Sequence, residues 1–332
     1  MLSDIPPRVA SLTFTPFPSV ATRLLALFAD EESSLATIAA CISTDVTLSS
    51  RLIKRANAAD QPHYCDVRDV LQAAVTLGVD RSREISLTTA LAAYAHYAFR
   101  SRILRPCWDH SLACAVVASE VARLWGLRPI ECYTAGLFHD IGRLALLRAY
   151  TYEYEQILES ADGHADLITM ERDRFGSDHM AVGAWLGEQW NLPESIIEVI
   201  ARHHEPPTGT LDQLTVVKVA CRLTDLLGFG VERHGNPPNL NAISEALPRW
   251  ATVRLVTQLN NIRGAVAREV CVYNEEETPQ PERVEKTTED AHSWGIPADL
   301  LAHEVGTRLP FLGAVLTITA LVLSAALVIV LR

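Results

Sequence analysis

Residues 129–143, PIECYTAGLFHDIGR, predict an α-helix that ends at an adjacent histidine and aspartate. Pro129 suits the first turn of a helix because it has no N–H to donate, and Gly142 stands just beyond the expected end at Asp140. Neighbouring side chains of a regular helix point about 100° apart. His139 and Asp140 can therefore share one ion most easily where the helix finishes, and we expect Gly142 to supply the freedom for that turn.

Helical spacing of apolar residues recurs on both sides of this stretch, whereas strict two-residue alternation with hairpin turns is hard to find. The predicted fold class is therefore all-α. The expected helices cover residues 19–28, 35–43, 48–56, 67–77, 83–97, 108–125, 129–140, 165–175, 177–190, 193–204, 211–227 and 240–272. We expect the first five to form a small helical bundle and the later ones a larger bundle.

The overall composition restricts the classes of function. The chain has 29 basic and 40 acidic side chains, a net charge of -11, so it repels phosphate backbones and no nucleic acid is expected as a partner. Its seven cysteines are scattered and never spaced Cys-x-x-Cys, which argues against a zinc ribbon or a disulfide framework. A reducing compartment fits this cysteine usage better.

The C-terminal residues 309–331 carry no charge and lie between Arg308 and Arg332. A helix of that length reaches roughly 34 Å, enough to cross a hydrocarbon core of about 30 Å. A buried core helix is the alternative, but the length favours a transmembrane helix. The N-terminus lacks the basic and apolar runs of a signal peptide. We therefore expect a single-pass protein of the inner membrane with most of the chain in the cytoplasm.

The expected domain organisation has five parts. An N-terminal helical part covers residues 1–100, a helical bundle 101–230 and an accessory helical segment 231–272. An acidic linker and juxtamembrane segment at 273–308 then leads to the transmembrane helix at 309–331. Residues 274–292 hold seven acidic and two basic side chains and are too polar to bury a face.

Histidine and aspartate residues lie within a few positions of predicted helix ends. They are His110, His139, Asp140, His179, His203, His204 and Asp225. Taken singly, these residues read more readily as structural ones: His110 as a hydrogen-bonded, half-buried residue and Asp225 as an ordinary polar residue on a helix face. As an ordered set they predict a shared polar pocket, because helices can bring ligands together from distant sequence positions. Imidazole and carboxylate groups suit a divalent ion such as iron, manganese, nickel or zinc.

Short motifs occur in a fixed order along the chain. They are FP (17–18), TDVTLS (44–49), RANA (55–58), AVTLG (74–78), WDHSL (108–112), AGLFHDIGR (135–143), FGSDHMAVGA (175–184), WNLP (190–193), HHEP (203–206) and TDLL (224–227). This set resembles the HDOD domain, a bacterial relative of the HD phosphohydrolases, over roughly residues 11–230. The resemblance implies an HD-domain-like helical bundle preceded by a small helical subdomain.

The resemblance also implies roles for particular residues. The seven histidine and aspartate positions above look like the metal ligands of the related HD-GYP phosphodiesterases. Three departures stand out: Pro106 replaces a glutamate four residues before the first histidine, no Gly-Tyr-Pro follows Glu205, and Arg143 replaces the lysine that contacts phosphate. Arg143 keeps the charge but changes its geometry. It is either a phosphate contact or a solvated surface arginine.

Two classes of function follow from these patterns. The favoured hypothesis is a tail-anchored signalling protein that acts through a signalling protein partner or a nucleotide, without turnover. The alternative is a metal-dependent phosphodiesterase or phosphohydrolase acting on a cyclic dinucleotide or nucleotide, with Asp140 and Arg143 as catalytic residues. In that case His110, His139, Asp140 and Asp225 hold one ion, and His179, His203 and His204 hold a second ion or the phosphate. A nucleotide sensor without turnover is a third reading.

Overall fold

The computed structural model of the chain describes residues 5–6, 8–9, 19–30, 32–58, 66–96, 102–161, 164–207, 209–231, 243 and 247–277. These residues form helices and no strands, which confirms the all-α prediction. The α-helices are α1 Ser19–Ala29, α2 Leu35–Ile42, α3 Val46–Ala58, α4 Val70–Leu77, α5 Val79–Ala95, α6 Arg105–Trp125, α7 Pro129–Phe138, α8 Ile141–Ala149, α9 Thr151–Ser160, α10 His164–Phe175, α11 His179–Gln189, α12 Glu194–Arg202, α13 Gln213–Thr224 and α14 Arg249–Glu277. A π-helical turn, Asp225–Phe229, continues α13.

The chain divides into two compact units, residues 1–270 and residues 271–332. In the second unit the described residues are the last turns of α14. The predicted transmembrane helix at 309–331 and all but the start of the predicted linker lie outside the described residues. Within the described part of the chain, none of the helices has both the length and the apolar character to cross a membrane.

The first four helices and the start of α5 enclose a small apolar core. Leu24, Ile38, Leu52 and Ala73 are buried in it, one from each of the first four helices. Side chains that precede helices fix where two of them begin. The Ser34 hydroxyl accepts a bond from the backbone of α2, and the Asp69 carboxylate does the same for α4. Such caps satisfy N–H groups that the first turn leaves unpaired.

Helix α6 lies at the centre of the larger bundle, and most of its residues are buried. It packs closely on α7 because Gly136 has no side chain. A Cβ at Gly136 would lie 3.0 Å from Ala115 Cα and 3.0 Å from the Cys114 carbonyl oxygen. Helix α13 packs against α6 as well, so three elements that carry candidate ligands are held side by side.

Helices α8 and α9 correct the helix predictions, which placed nothing between residues 141 and 160. Gly142 was expected to lie beyond a helix end, but it lies in the first turn of α8. The chain leaves helical geometry at Asp140 (φ -105°, ψ 20°) and becomes helical again at Ile141. Tyr150 interrupts the helix in the same way between α8 and α9. Each of these helix boundaries is a single non-helical residue, Asp140 or Tyr150, rather than the run of glycine, proline and polar residues by which a boundary is recognised in a sequence.

The ends of two other helices also differ from the prediction. Helix α14 begins at Arg249, directly after Pro248, and continues to Glu277 rather than ending at residue 272. Glutamate has a high helix propensity, so the glutamates at the start of the predicted linker favour extension of the helix. The helix expected at 211–227 ends as the π-helical turn, in which Gly228 adopts φ 92°.

Candidate metal centre

The candidate ligands lie at the points where helices end. His139 follows α7, Asp140 precedes α8, His179 opens α11, and His203 and His204 follow α12. Two further positions flank this group: His110 lies in the second turn of α6, and Asp225 follows α13. The structure thus gathers residues that are 115 positions apart in the sequence, from His110 to Asp225.

The carboxylate of Asp140 lies at the centre of this group. Its Oδ1 atom is 3.2 Å from Nε2 of His203 and 3.5 Å from Nε2 of His179. Its Oδ2 atom is 3.7 Å from Nε2 of His139 and 3.8 Å from Nε2 of His110. Asp140 is 1% exposed and all four imidazoles are fully buried. One carboxylate therefore faces two pairs of imidazoles inside the protein.

The opposite edge of each of these rings is bonded to an oxygen acceptor. The bonds join Nδ1 of His139 to the Gly136 carbonyl (2.7 Å), Nδ1 of His203 to the Ile200 carbonyl (2.9 Å), Nδ1 of His110 to the Phe229 carbonyl (2.9 Å) and Nδ1 of His179 to Oε2 of Glu171 (2.6 Å). Neither a carbonyl oxygen nor an ionised carboxylate can donate, so Nδ1 carries the proton in each of the four rings. The neutral ring then presents the lone pair of Nε2.

This arrangement fits a cation. Nε2 of His139, Nε2 of His203 and Oδ1 of Asp140 are buried without a hydrogen-bond partner. Unpaired buried acceptors are costly, and lone pairs that converge on a carboxylate repel it. Metal-bound histidines usually donate their other ring N–H to a carbonyl or a carboxylate, as these rings do. A divalent ion beside Asp140 Oδ1 and His203 Nε2 would satisfy two of these acceptors, whereas Nε2 of His139 faces the other carboxylate oxygen.

The possible ligand atoms form two clusters. The first cluster is Asp140, His179, His203 and His204, and the second cluster is His110, His139 and Cys221. Within each cluster one ligand atom from every residue lies within 4.8 Å of the others. Asp225 belongs to neither cluster, because its Oδ1 approaches the Nδ1 edge of His110 at 3.4 Å.

Arg143 lies inside the centre and is fully buried. Its Nε donates to Oδ2 of Asp140 at 2.7 Å, one terminal nitrogen is 3.4 Å from Nε2 of His204, and the other is 3.8 Å from Oε1 of Glu171. The reading of Arg143 as a solvated surface residue is therefore wrong. Burial alone would raise the pKa of Asp140, but the positive charge of Arg143 holds that pKa well below its ordinary value.

Burial has the opposite effect on the histidines. It lowers the pKa of His139 well below the ordinary value, against the attraction of Asp140. It also lowers the pKa of His203, again opposed by Asp140. Both rings therefore stay neutral at pH values near 7, and their Nε2 lone pairs remain available to a metal ion.

Two residues that support the centre have no motif in the sequence. Oε2 of Glu171 accepts bonds from both Nδ1 and the backbone N–H of His179, at 2.6 and 2.8 Å. Tyr154 donates its hydroxyl to Oε1 of Glu171 at 2.6 Å. Burial would raise the pKa of Glu171, but His179 and Arg143 lower it below the ordinary value. Glu171 lies in the run MERDRF, which reads as a solvent-facing surface.

The ordered motifs and the helical centre are shared with one domain family. The sequence profile of the HDOD domain matches residues 14–206, more than half of the chain. The chain belongs to the HDOD family. The HDOD match contains His110, both residues of the His139-Asp140 pair, His179 and the His203-His204 pair, whereas Asp225 lies beyond it.

Known proteins that match this HDOD chain share low sequence identity with it. An uncharacterized protein of Treponema pallidum is 24% identical over 197 residues, which cover 57% of this chain and 38% of that protein. The chain thus spans less than two fifths of the length of that relative. The structure of an HDOD domain protein of unknown function from Geobacter sulfurreducens is 23% identical with a TM-score of 0.58, covering 75% of this chain and 91% of that one.

A second solved structure shares the fold of the HDOD chain. It is a Shewanella amazonensis protein named for an inferred metal-dependent phosphohydrolase activity, 20% identical with a TM-score of 0.50. The match covers 77% of this chain and 94% of that one. At these identities the two structures establish that the fold is shared.

Proposed function

We propose that the chain is a regulatory signalling protein that holds a divalent metal ion in the first cluster and binds a nucleotide or cyclic dinucleotide there without hydrolysing it. The bond from Arg143 Nε to Oδ2 of Asp140 carries this proposal. Two-metal hydrolysis uses ions about 3.5–4 Å apart that clamp the attacking and the leaving oxygens. A carboxylate that bridges such ions needs both of its oxygens, and Arg143 engages one of them.

The donors of the first cluster suit iron, manganese, nickel or zinc, since they are imidazoles and one carboxylate. An ion bound there would supply a positive charge for a phosphoryl oxygen. Glu171 orients His179 through Nδ1, and the Ile200 carbonyl does the same for His203. His204 is the only half-buried member of the first cluster, so we infer that a ligand approaches from its side.

Formal charges support a single ion in the first cluster. Asp140, Glu171 and Asp225 contribute three negative charges, and Arg143 contributes one positive charge. With neutral imidazoles the centre carries two net negative charges, which one divalent ion balances. A buried charge is stable only when it is compensated, so a second ion without a further anionic ligand is disfavoured.

The proposed location is the cytoplasmic face of the inner membrane, with the uncharged residues 309–331 as the anchor. The partner that reads the signal is a second protein at that membrane. Two arginines in the centre of the segment, Ile318→Arg with Leu321→Arg, should move the chain from the membrane fraction to the soluble fraction, since each costs about 2.5–3.5 kcal/mol on insertion. Recovery of the variant in the membrane fraction would contradict the anchor.

The test of the proposed function uses the full chain purified in mild detergent. Its bound metals are measured, and binding and hydrolysis of cyclic dinucleotides and nucleoside phosphates are followed with Mn²⁺ or Fe²⁺. We expect bound metal, metal-dependent nucleotide binding and no turnover. Turnover that disappears in the His139→Ala, Asp140→Ala double variant would overturn the proposal, and so would an absence of both metal and nucleotide binding.

A second candidate function is metal-dependent phosphodiester or phosphomonoester hydrolysis. The unpartnered acceptor atoms of His139, His203 and Asp140 are compatible with it, because hydrolysis also needs a bound metal ion and these atoms suit metal ligation. In that case Arg143 would have to leave Asp140 and balance the charge of the phosphate. The hydrolysis assay above separates the two functions directly.

A further inference from the structure

Cys221 joins the centre from helix α13. Its Sγ atom lies 3.6 Å from Nε2 of His110, and the residue is 2% exposed. His110 itself is held by the bond from Nδ1 to the Phe229 carbonyl, so its Nε2 lone pair points toward the sulfur. The π-helical turn that contains Phe229 directly follows α13, and both His110 and Cys221 are therefore positioned by the same stretch of backbone.

The second cluster has an open acceptor as well. Nε2 of His139 is fully buried and has no hydrogen-bond partner. It belongs to the group in which atoms of His110, His139 and Cys221 lie within 4.8 Å of one another. Zinc binds nitrogen at about 2.0–2.1 Å and sulfur at about 2.3 Å, so the ligand atoms of a tetrahedral ion lie about 3.4–3.6 Å apart. The 3.6 Å between Cys221 Sγ and His110 Nε2 already matches this spacing, and the ring of His139 would have to move inward by at most about 1.4 Å.

We propose that the second cluster is a separate, thiolate-containing metal site in which His110, His139 and Cys221 hold a zinc-type ion. This goes beyond the proposed function, which places an ion in the first cluster alone. The cysteine thiol would lose its proton to solvent when the ion binds. Three protein ligands leave the fourth position of a tetrahedral ion open.

The bond between Arg143 and Asp140 explains why the second cluster would use a cysteine, Cys221, as its anionic ligand. The carboxylate oxygen that faces His110 and His139 is Oδ2 of Asp140, and Arg143 already binds it. The second cluster therefore lacks a free carboxylate oxygen, and Cys221 supplies the anionic ligand in its place. As a thiolate it would also offset one of the two positive charges of the added ion, which the formal charges of the centre otherwise disfavour. Thiolate selects zinc and similar ions over Mg²⁺ and Mn²⁺, which prefer oxygen ligands.

The test uses Co²⁺ on the full chain after its metals have been removed with a chelator. A cobalt–thiolate bond gives a sulfur-to-metal charge-transfer band in the near ultraviolet, which imidazole and carboxylate ligands do not give. We expect this band in the wild-type chain, its loss in Cys221→Ser, and its retention in Cys132→Ser. Cys132 is a matched control because it is buried on α7, seven residues before His139.

A second measurement keeps the test independent of the first cluster. In a His203→Ala, His204→Ala variant the band should persist while Mn²⁺ binding is lost. Cys221→Ser removes a direct ligand, so zinc should bind at least about 100-fold more weakly, beyond the range typical for loss of a residue that only supports a ligand, and the Mn²⁺ affinity should stay within about twofold. Far-ultraviolet circular dichroism checks that each variant is folded. A wild-type chain that gives no band, or a band that survives in Cys221→Ser, would overturn the thiolate site and leave the first cluster untouched.

Discussion

The guanidinium of Arg143 is a fixed positive charge among buried acids, and it determines which oxygen of Asp140 remains open. It is bonded to Asp140 and close to Glu171, and neither carboxylate has appreciable access to water. Arginine cannot release its proton in a protein, so this charge persists at every accessible pH. A lysine at the same position could not make the same planar contacts with several partners.

Replacing this charge should be costly in the metal-free chain. Arg143→Met keeps much of the volume but leaves Asp140 without its counter-charge, so we expect the free energy of unfolding to fall by about 3–5 kcal/mol. Chemical denaturation followed by tryptophan fluorescence measures this loss. Arg202→Met is the control, because Arg202 lies on the surface in pairs with Glu198 and Glu205. A loss below about 0.5 kcal/mol for Arg143→Met would contradict the account.

The buried histidines predict how stability depends on pH. The pKa values of His139 and His203 are lowered in the folded chain from the ordinary 6.5. Below pH 6.5 the unfolded chain therefore binds protons that the folded chain does not, and stability falls as pH falls. The slope should reach about 1.4 kcal/mol per pH unit for each histidine.

This dependence can be measured by denaturation of the chelator-treated chain from pH 7.5 downward. The His139→Gln, His203→Gln double variant should lose most of the slope between pH 6.5 and the lowered pKa values. His96→Gln should keep the slope, because His96 lies on the surface. A wild-type stability that does not change over this range would show that the two rings are not held neutral.

Some residues of the centre could be predicted from the sequence and others could not. The histidine and aspartate positions were predictable because they stand at helix ends and recur in ordered motifs. Glu171, Tyr154 and Cys221 lie inside helices, where the local pattern does not show which side is buried. The burial of Arg143 was also unpredictable, since an arginine one turn after an aspartate is common on helix surfaces.

At the level of elements, the close approach of α8 and α11 holds the first cluster together. A Cβ at Gly142 would lie 1.8 Å from the His179 carbonyl oxygen and 2.7 Å from Gly183 N. Gly142 is therefore required for this backbone contact, and the expectation that it supplies turning freedom was wrong. The sequence shows a glycine two residues after Asp140, but it does not show that α11 packs against that glycine.

This contact predicts opposite effects for two glycine substitutions. Gly142→Ala should destabilise the chain by about 3 kcal/mol or more, because no side-chain movement relieves a clash with backbone. Gly264→Ala on α14 should stabilise it by about 0.5–1 kcal/mol, since the added Cβ meets only the flexible end of Arg268 at 3.3 Å. Thermal and chemical denaturation measure both changes. Equal effects of the two substitutions would contradict the packing described.

An ion-pair cluster joins α14 to the N-terminal helices. Glu269 binds Arg55 of α3 and, at 2.8 Å, Arg81 of α5, which also binds Glu84 at 2.7 Å. Glu269 and Arg55 are largely buried, whereas Arg81 is about a third exposed. Charge pairs between distant residues such as these leave no sequence pattern, so only the structure reveals the junction.

Removing Glu269 should loosen this junction. Glu269→Ala leaves two arginines without their shared partner, and we expect a loss of roughly 2 kcal/mol, less than for a fully buried pair because Arg81 is partly solvated. Glu198→Ala on the surface of α12 is the control and should change stability by less than about 0.5 kcal/mol. Denaturation midpoints give the comparison. A Glu269→Ala variant as stable as its control would show that the cluster contributes little.

Over the whole molecule the net charge is negative, so an anionic ligand needs a bound cation to overcome the repulsion. Residues 274–292 supply -5 of the net -11, which leaves -6 for the rest of the chain. A nucleotide phosphate approaching this surface is repelled unless a local positive charge attracts it. An ion bound in the first cluster would balance the two negative charges of the centre and present its own positive charge to the phosphate, whereas the buried Arg143 is already neutralised by Asp140.

The central claim is that the first cluster binds a divalent ion, and anomalous diffraction from crystals of the metal-loaded chain tests it most directly. Data recorded on both sides of the absorption edge of the metal locate the ion without reference to the fold. We expect an anomalous peak within bonding distance of Asp140 Oδ1 and His203 Nε2, with Arg143 still bonded to Oδ2. A fully loaded crystal with peaks only on the protein surface would contradict the claim.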